Sequence, residues 1–186
     1  MTERPQKFLV IFDRDGTLIT EKDYLSDPTE VELLPEVVPA LQRLAQQGGV
    51  FAVASNQSGI GRGYFSTDDA RAVNVRMQRL LGEQGIEIMH SYFCPHAPED
   101  DCRCRKPKPF MLEKAMKDTG VEPLFSFMVG DKISDIEAGK NAGMRSILVQ
   151  TGYGKKVDPG SAKADFIAVS MAAAAEWILD MIKKPG

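Results

Sequence analysis

A chain of 186 residues with 26% charged and 43% hydrophobic residues is long enough for one globular domain with a proper core, and short for two. Its formal net charge of −3 excludes a surface built for nucleic acid, which needs an excess of lysine and arginine. The polar first seven residues and the short apolar run after them match neither a secretion signal nor a membrane span, so a cytoplasmic protein without a membrane partner is expected.

Residues 8–12 read FLVIF. Five apolar residues bounded by charge fit a strand covered on both faces of a parallel sheet. The run leads straight into Asp13-Arg14-Asp15-Gly16-Thr17. A period of two puts Asp13 and Asp15 on the same side of the chain, and Gly16 permits a sharp exit. Two like charges held close are costly unless a cation neutralises them or one carboxyl keeps its proton. A surface turn rich in Asp and Gly is the plainer reading, but turn acids rarely follow five consecutive core residues.

Residues 20–34 form an irregular connection near the mouth of any site. Pro35 stands where a first helical residue would, Val37, Val38, Leu41, Leu44 and Ala45 follow at helical spacing, and Gly48-Gly49 stops the pattern. A second buried strand, 50–54, empties into Ser55-Asn56-Gln57-Ser58-Gly59-Ile60-Gly61-Arg62-Gly63, expected to be a flexible substrate loop. Ser66 with Asp69 makes a capping box for a helix with the core stripe Ala70, Val73, Met77, Leu80 and Leu81. A third strand, 86–93, carries His90 as an ordinary side chain and leads to Cys94-Pro95-His96. Cys102-Arg103-Cys104-Arg105-Lys106-Pro107 follows, then a helix over 110–119 closed by Gly120. The fourth strand, 125–129, delivers Gly130-Asp131-Lys132-Ile133-Ser134-Asp135. Ser134 is the expected cap of a short helix reaching about residue 142. Strands are expected at 145–149 and 165–169, and Ser170 caps a last helix with Trp177 as a core anchor, ending before Pro185-Gly186.

Strands alternating with helices throughout predict an α/β fold, a mostly parallel sheet with helices on both faces, which binds ligands at the carboxyl ends of its strands. Asp13, Ser55 and Asp131 fall there, with Arg105 and Lys106 on a loop within reach. Three carboxylates and a lysine suit a divalent cation and an anionic substrate. Magnesium prefers oxygen ligands, and the acidic set for it is Asp13, Asp131 and Asp15. Asp13 can attack phosphorus to give an aspartyl-phosphate, Asp15 beside it can carry the proton, and Lys106 and Ser55 can hold the phosphoryl oxygens.

All three cysteines lie in one stretch, an odd number that suits a metal better than a disulfide framework. Cys94, His96, Cys102 and Cys104 supply the closed Cys3His set of structural zinc, so a zinc loop at about 94–104 should pin Arg105 and Lys106 in place. Arg105 offers a bidentate fork to a second phosphate, and Arg62 is a weaker candidate for the same task. The glycines at 59, 61 and 63 do not fit a dinucleotide fingerprint, and no Walker loop is present.

Asp13-x-Asp15-Gly16-Thr17, Ser55, Lys106 and Gly130-Asp131-Lys132 with Asp135 resemble, in order, the four motifs of the haloacid dehalogenase-like (HAD) phosphatases, covering residues 8–135. Within that superfamily the 55–63 loop, Cys94-Pro95-His96, Cys102-Arg103-Cys104-Arg105-Lys106-Pro107 and 129–132 are most similar to the heptose-bisphosphate phosphatases, with the histidinol-phosphate phosphatases as the neighbouring branch. The resemblance implies a Rossmann-like sheet without a large cap over residues 1–186, catalytic magnesium, structural zinc, and a small phosphorylated substrate acted on by a monomer. It places substrate contacts at Glu21, Lys22, Asp23, Tyr24, Ser55, Asn56, Gln57, Ser58, Arg105, Lys106 and Lys132. Ser55 stands where the heptose branch has threonine and keeps the hydroxyl. The five residues between His96 and Cys102 match the histidinol branch, whereas Gly59 to Gly63 and Lys132 match the heptose branch. A non-catalytic phosphate-binding module is the alternative of another class, and Asp15 argues against it because a binder needs no proton carrier.

Overall fold

The computed structural model describes residues 6–183. Six strands, β1 (Phe8–Phe12), β2 (Gly49–Asn56), β3 (Ile88–Cys94), β4 (Ser126–Gly130), β5 (Arg145–Val149) and β6 (Phe166–Ala168), form one sheet in the order β3-β2-β1-β4-β5-β6. Every pairing is parallel, so each connection must cross back over a face of the sheet. The crossovers carry α1 (Val37–Gln46), α2 (Ser58–Gly61), α3 (Thr67–Gly82), α4 (Phe110–Thr119), α5 (Ile133–Asn141) and α6 (Pro159–Ala162), and α7 (Met171–Lys183) follows β6.

β1 shows why its apolar run is unbroken. Phe8, Val10 and Phe12 join Leu41, Leu44, Met77 and Ile178 in a core on one face. Leu9 and Ile11 point the other way into a second core with Leu112, Ala115 and Ala138. All five residues of β1 are buried, which is the consequence of a central strand covered on both sides. Trp177 packs flat on Phe166, ring centroids 5.3 Å apart, and edge-on to Phe127, anchoring α7 as expected. Among the described residues no helix is long and apolar enough to cross a membrane.

Most expected elements stand within two residues of their places. α1 begins at Val37 rather than Pro35, because Glu36 before it lies in the left-handed region. Ser66 and Asp69 cap α3 reciprocally, each side chain bonding the other's backbone amide. The cap of α5 differs from expectation: Ser134 lies inside the helix, and the Asp135 carboxylate turns back to accept from the Lys132 amide at 3.0 Å. Residues 184–186, with Pro185 and Gly186, lie outside the described residues.

The segment expected to be a flexible glycine loop is instead partly helical, with Ser58–Gly61 forming α2. Gly59 and Gly61 provide close packing. A Cβ at Gly61 would collide with the backbone of Ala97 and Pro95, and the Gly61 amide donates to the Pro95 carbonyl at 2.8 Å. The segment is thus clamped against the cysteine loop, and Arg62 turns toward Glu99 at 4.0 Å.

The sheet order reverses between β1 and β4, which start their crossovers in opposite directions. Such a switch point opens a crevice beyond the carboxyl ends of the two strands. Asp13 follows β1 and Asp131 follows β4, so the fold sets them on either side of that crevice.

Candidate active site

The backbone amide of Asp13 continues the ladder, donating to the Val129 carbonyl of β4 at 2.9 Å. Its carboxylate accepts from the Lys106 ammonium at 2.8 Å. Lys106 also donates to the Ala54 carbonyl at the end of β2 and lies 2.6 Å from a carboxylate oxygen of Asp135. The ends of β1 and β2, the first turn of α5 and the 105–107 loop therefore meet at the ammonium of one lysine, a residue only 3% exposed.

Asn56 holds that loop from below. Its side-chain amide donates to the Lys106 carbonyl and accepts from the Lys106 amide, both at 3.0 Å. This pair satisfies both backbone groups of the residue that must be placed most accurately.

Asp13, Asp131 and Asp135 are all buried and bring carboxylate oxygens within 4.8 Å of one another. Burial works against the charge of Asp13, but Lys106 and Lys132 more than offset it and hold the carboxyl below its usual range. Lys106 suffers the same burial and is kept above its usual value by Asp13 and Asp135. Asp131 is pushed up to about 8, first by burial and then by the neighbouring Asp13 charge, which Lys132 only partly offsets. Its Oδ2 accepts from the Tyr153 amide at 2.7 Å, whereas its buried Oδ1 has no partner. The site leaves space there by construction: a Cβ at Gly16 (φ +80°) or at Gly152 would strike the Asp131 carboxylate. Crowded acids with an orphaned buried oxygen are a donor set for a hard divalent cation.

The third carboxylate of this set is Asp135, not Asp15. Asp15 faces the same small recess of about 20 Å³ as Asp13, Lys106 and Lys132, but its carboxylate is engaged elsewhere. The Arg14 guanidinium donates to both of its oxygens at 3.1–3.2 Å, and the Gln57 amide donates at 2.8 Å. The strand period does bring Asp13 and Asp15 to one volume; the arginine between them decides which way the second carboxylate turns.

The recess opens into a cleft of about 260 Å³ walled by Asp15, Glu21, Asp23, Tyr24, Asn56, Gln57, Ser58, Arg105 and Lys132, with Tyr153 and Ser134. Three expected contacts are absent from its wall, of which Lys106 lines the recess below it instead. Lys22 points away and bonds the Glu30 carbonyl and Glu32. Ser55 is 1% exposed and lies under Gln57, whose amide approaches its hydroxyl at 3.3 Å. Tyr153 joins the wall without any signal in its local sequence pattern. Its ring lies under the Lys132 ammonium at 4.8 Å and its hydroxyl donates to Asp23 at 2.8 Å. Lys132 also reaches Glu21 at 3.3 Å; burial raises the Glu21 carboxyl and Lys132 partly offsets it.

Cys94, His96, Cys102 and Cys104 converge as a second donor cluster. Their sulfur atoms are 3.1–3.6 Å apart and His96 Nδ1 is 3.3 Å from Cys104 Sγ. Sulfurs on a tetrahedral zinc would be about 3.8 Å apart, whereas disulfide sulfurs would be bonded at about 2.05 Å; all three cysteines are free. Arg105 is tied to this cluster through the His96 carbonyl at 3.3 Å.

Comparison with known proteins agrees with this geometry. A HAD-hydrolase-like family model matches residues 103–174. The D-glycero-beta-D-manno-heptose-1,7-bisphosphate 7-phosphatase of Pasteurella multocida is 38% identical over 173 residues, spanning 89% of this chain and 94% of the relative. Its namesake from Pseudomonas aeruginosa is 42% identical over 147 residues, 78% and 83% of the two chains. The crystal structure of D,D-heptose 1,7-bisphosphate phosphatase from B. bronchiseptica, complexed with magnesium and phosphate, superposes with a TM-score of 0.86 at 35% identity, covering 94% of this chain and 99% of that one. The chain therefore belongs to the heptose-1,7-bisphosphate 7-phosphatase family of HAD-like phosphatases.

Proposed function

We propose that this protein hydrolyses D-glycero-D-manno-heptose 1,7-bisphosphate to the heptose 1-phosphate, with Asp13 as nucleophile and Asp15 as proton carrier. The observation that carries the reading is the recess itself. A carboxylate kept charged by Lys106 faces a second carboxylate, at the bottom of a cleft rimmed by Arg105 and Lys132. The relatives named above are phosphatases of this bisphosphate.

An Asp13 oxygen attacks the phosphorus of the C7 phosphate, and the bond from phosphorus to the C7 oxygen breaks. The Asp15 carboxyl delivers its proton to that departing oxygen, which leaves as an alcohol. The Asp15 carboxylate then takes a proton from water as the water oxygen attacks the aspartyl-phosphate, freeing Asp13 and inorganic phosphate. Lys106 keeps Asp13 ionised before the first step and stabilises phosphoryl oxygens during both. Lys132 faces the same recess and supplies further positive charge.

Asp13, Asp131 and Asp135 would hold magnesium, the orphaned Asp131 Oδ1 supplying a ligand. Bound there, the ion would neutralise charge on the phosphoryl group and let a carboxylate approach it. The four thiol and imidazole donors would hold zinc in a closed site with no position left for substrate. Its part is structural: it fixes the loop from which Arg105 and Lys106 project. Arg105, at the cleft wall, would take the second phosphate of the substrate, since a guanidinium matches phosphate bidentately.

The decisive experiment compares kcat/KM for heptose 1,7-bisphosphate and histidinol phosphate on one magnesium-loaded preparation. A preference of at least tenfold for the bisphosphate is expected. A preference for histidinol phosphate would transfer the assignment to the neighbouring branch, and release of phosphate from neither would remove it.

A further inference from the structure

α3 carries one residue that does not belong in its stripe. Asn74 is 5% exposed and sits among Ala70, Val73, Met77 and Leu81, all buried on the same helix. An asparagine at a core position of an amphipathic helix is costly unless its side chain is satisfied. Its partner is Arg14, the largest fully buried side chain among the described residues: Arg14 Nη1 donates to Asn74 Oδ1 at 2.9 Å. The remaining donors of the guanidinium are aimed at the other side. Nε and Nη2 reach the two oxygens of Asp15, and Nη2 also donates to Gln57 Oε1 at 3.0 Å. Gln57 closes the ring by donating to Asp15 Oδ2.

A guanidinium is planar and rigid, so a hydrogen bond at Nη1 fixes the plane in which Nε and Nη2 meet a carboxylate. We propose that Asn74 and Arg14 form a buried clamp that positions Asp15 for proton transfer, Asn74 setting the orientation of the guanidinium and the guanidinium setting that of the carboxylate. Both are positioning residues, since neither lines the cleft. The clamp leaves one side of the Asp15 carboxylate facing the recess, the orientation a proton carrier to the leaving oxygen requires. A misplacement of this kind costs rate far more than binding. The proposal rests on the reading of Asp15 as proton carrier.

The test uses leaving groups of different need. The C7 alkoxide of heptose bisphosphate requires a proton as it departs, whereas the nitrophenolate of p-nitrophenyl phosphate leaves without one. Release of each leaving group is followed in single turnovers with magnesium-loaded enzyme in excess, for the wild type, Asn74→Leu, Asn74→Asp and Asp15→Ala. Asn74→Leu should slow sugar release at least tenfold more than nitrophenolate release. Asn74→Asp, which keeps an acceptor for Nη1, should restore the wild-type ratio. If Asn74→Leu does not fold, Asn74→Ser, whose shorter side chain withdraws the acceptor, carries the same comparison. An equal effect of the Asn74 variants on both substrates, or none, while Asp15→Ala keeps its selective loss on the sugar, would overturn the clamp and leave the proton carrier standing. An equal effect of Asp15→Ala on both substrates would overturn the proton carrier, and the clamp with it.

Discussion

The thiol cluster draws all four donors from residues 94–104, whereas the carboxylate cluster gathers Asp13 and Asp131 from the ends of β1 and β4 and Asp135 from the first turn of α5. The first is a short loop that leaves the end of β3, with Cys94 in the second core and Cys102 and Cys104 packed against it. The second is fixed by a sheet whose strands are buried on both faces, and by Lys106, which already neutralises part of its charge. The difference teaches where metal does structural work. Binding energy at a site that does not persist without its ion is folding energy, while a site held by the core only exchanges desolvation for coordination.

That contrast can be broken most directly at the nucleophile. Asp13→Asn should lower kcat by about a thousandfold or more. Intact turnover would show that the carboxylate cluster binds without reacting. Lys106→Met tests whether the cluster depends on its internal cation. Removing one partner of a buried pair leaves uncompensated charge, at a cost of about 3–5 kcal/mol, to be read from urea unfolding without metal. Saturating magnesium should recover part of that loss, and no recovery would place the ion elsewhere.

Stripping zinc with a chelator should raise amide exchange across residues 94–106 and lower thermal stability, whereas removing magnesium alone should leave exchange in that segment unchanged. Elemental analysis should find one zinc per chain. A loop that stays protected after zinc removal would erase the distinction between the two clusters. The smallest effect is expected at Arg105→Ala. Losing a charged hydrogen bond of about 1.5–3 kcal/mol should raise KM for the bisphosphate by about tenfold or more, with little change for a monophosphate. Equal losses on both would assign Arg105 to the loop rather than to the second phosphate.

Much of the fold and of the site is legible in the order of residues alone. The apolar runs of β1, β2 and β4 end in polar residues, and a parallel sheet brings such ends together whatever the intervening chain does. The spacing of Cys94, His96, Cys102 and Cys104 encodes its own proximity. Where the one-dimensional pattern misleads, it does so in one way. Lys22 stands between two cleft residues, Glu21 and Asp23, but its own side chain faces the opposite way in that loop. Gly59 and Gly61 look like freedom in one dimension and are close packing in three.

The sequence by itself determined which strands and long helices form and where charge must collect, because hydrophobic period, capping pairs and ligand spacing act over a few residues. The tertiary structure alone decided the direction of each polar side chain at the switch point. Asn74 meets Arg14, Tyr153 supports Lys132, and Asn56 holds Lys106 only because strands and helices distant in sequence pack side by side, and a buried polar group must take the partner that packing provides.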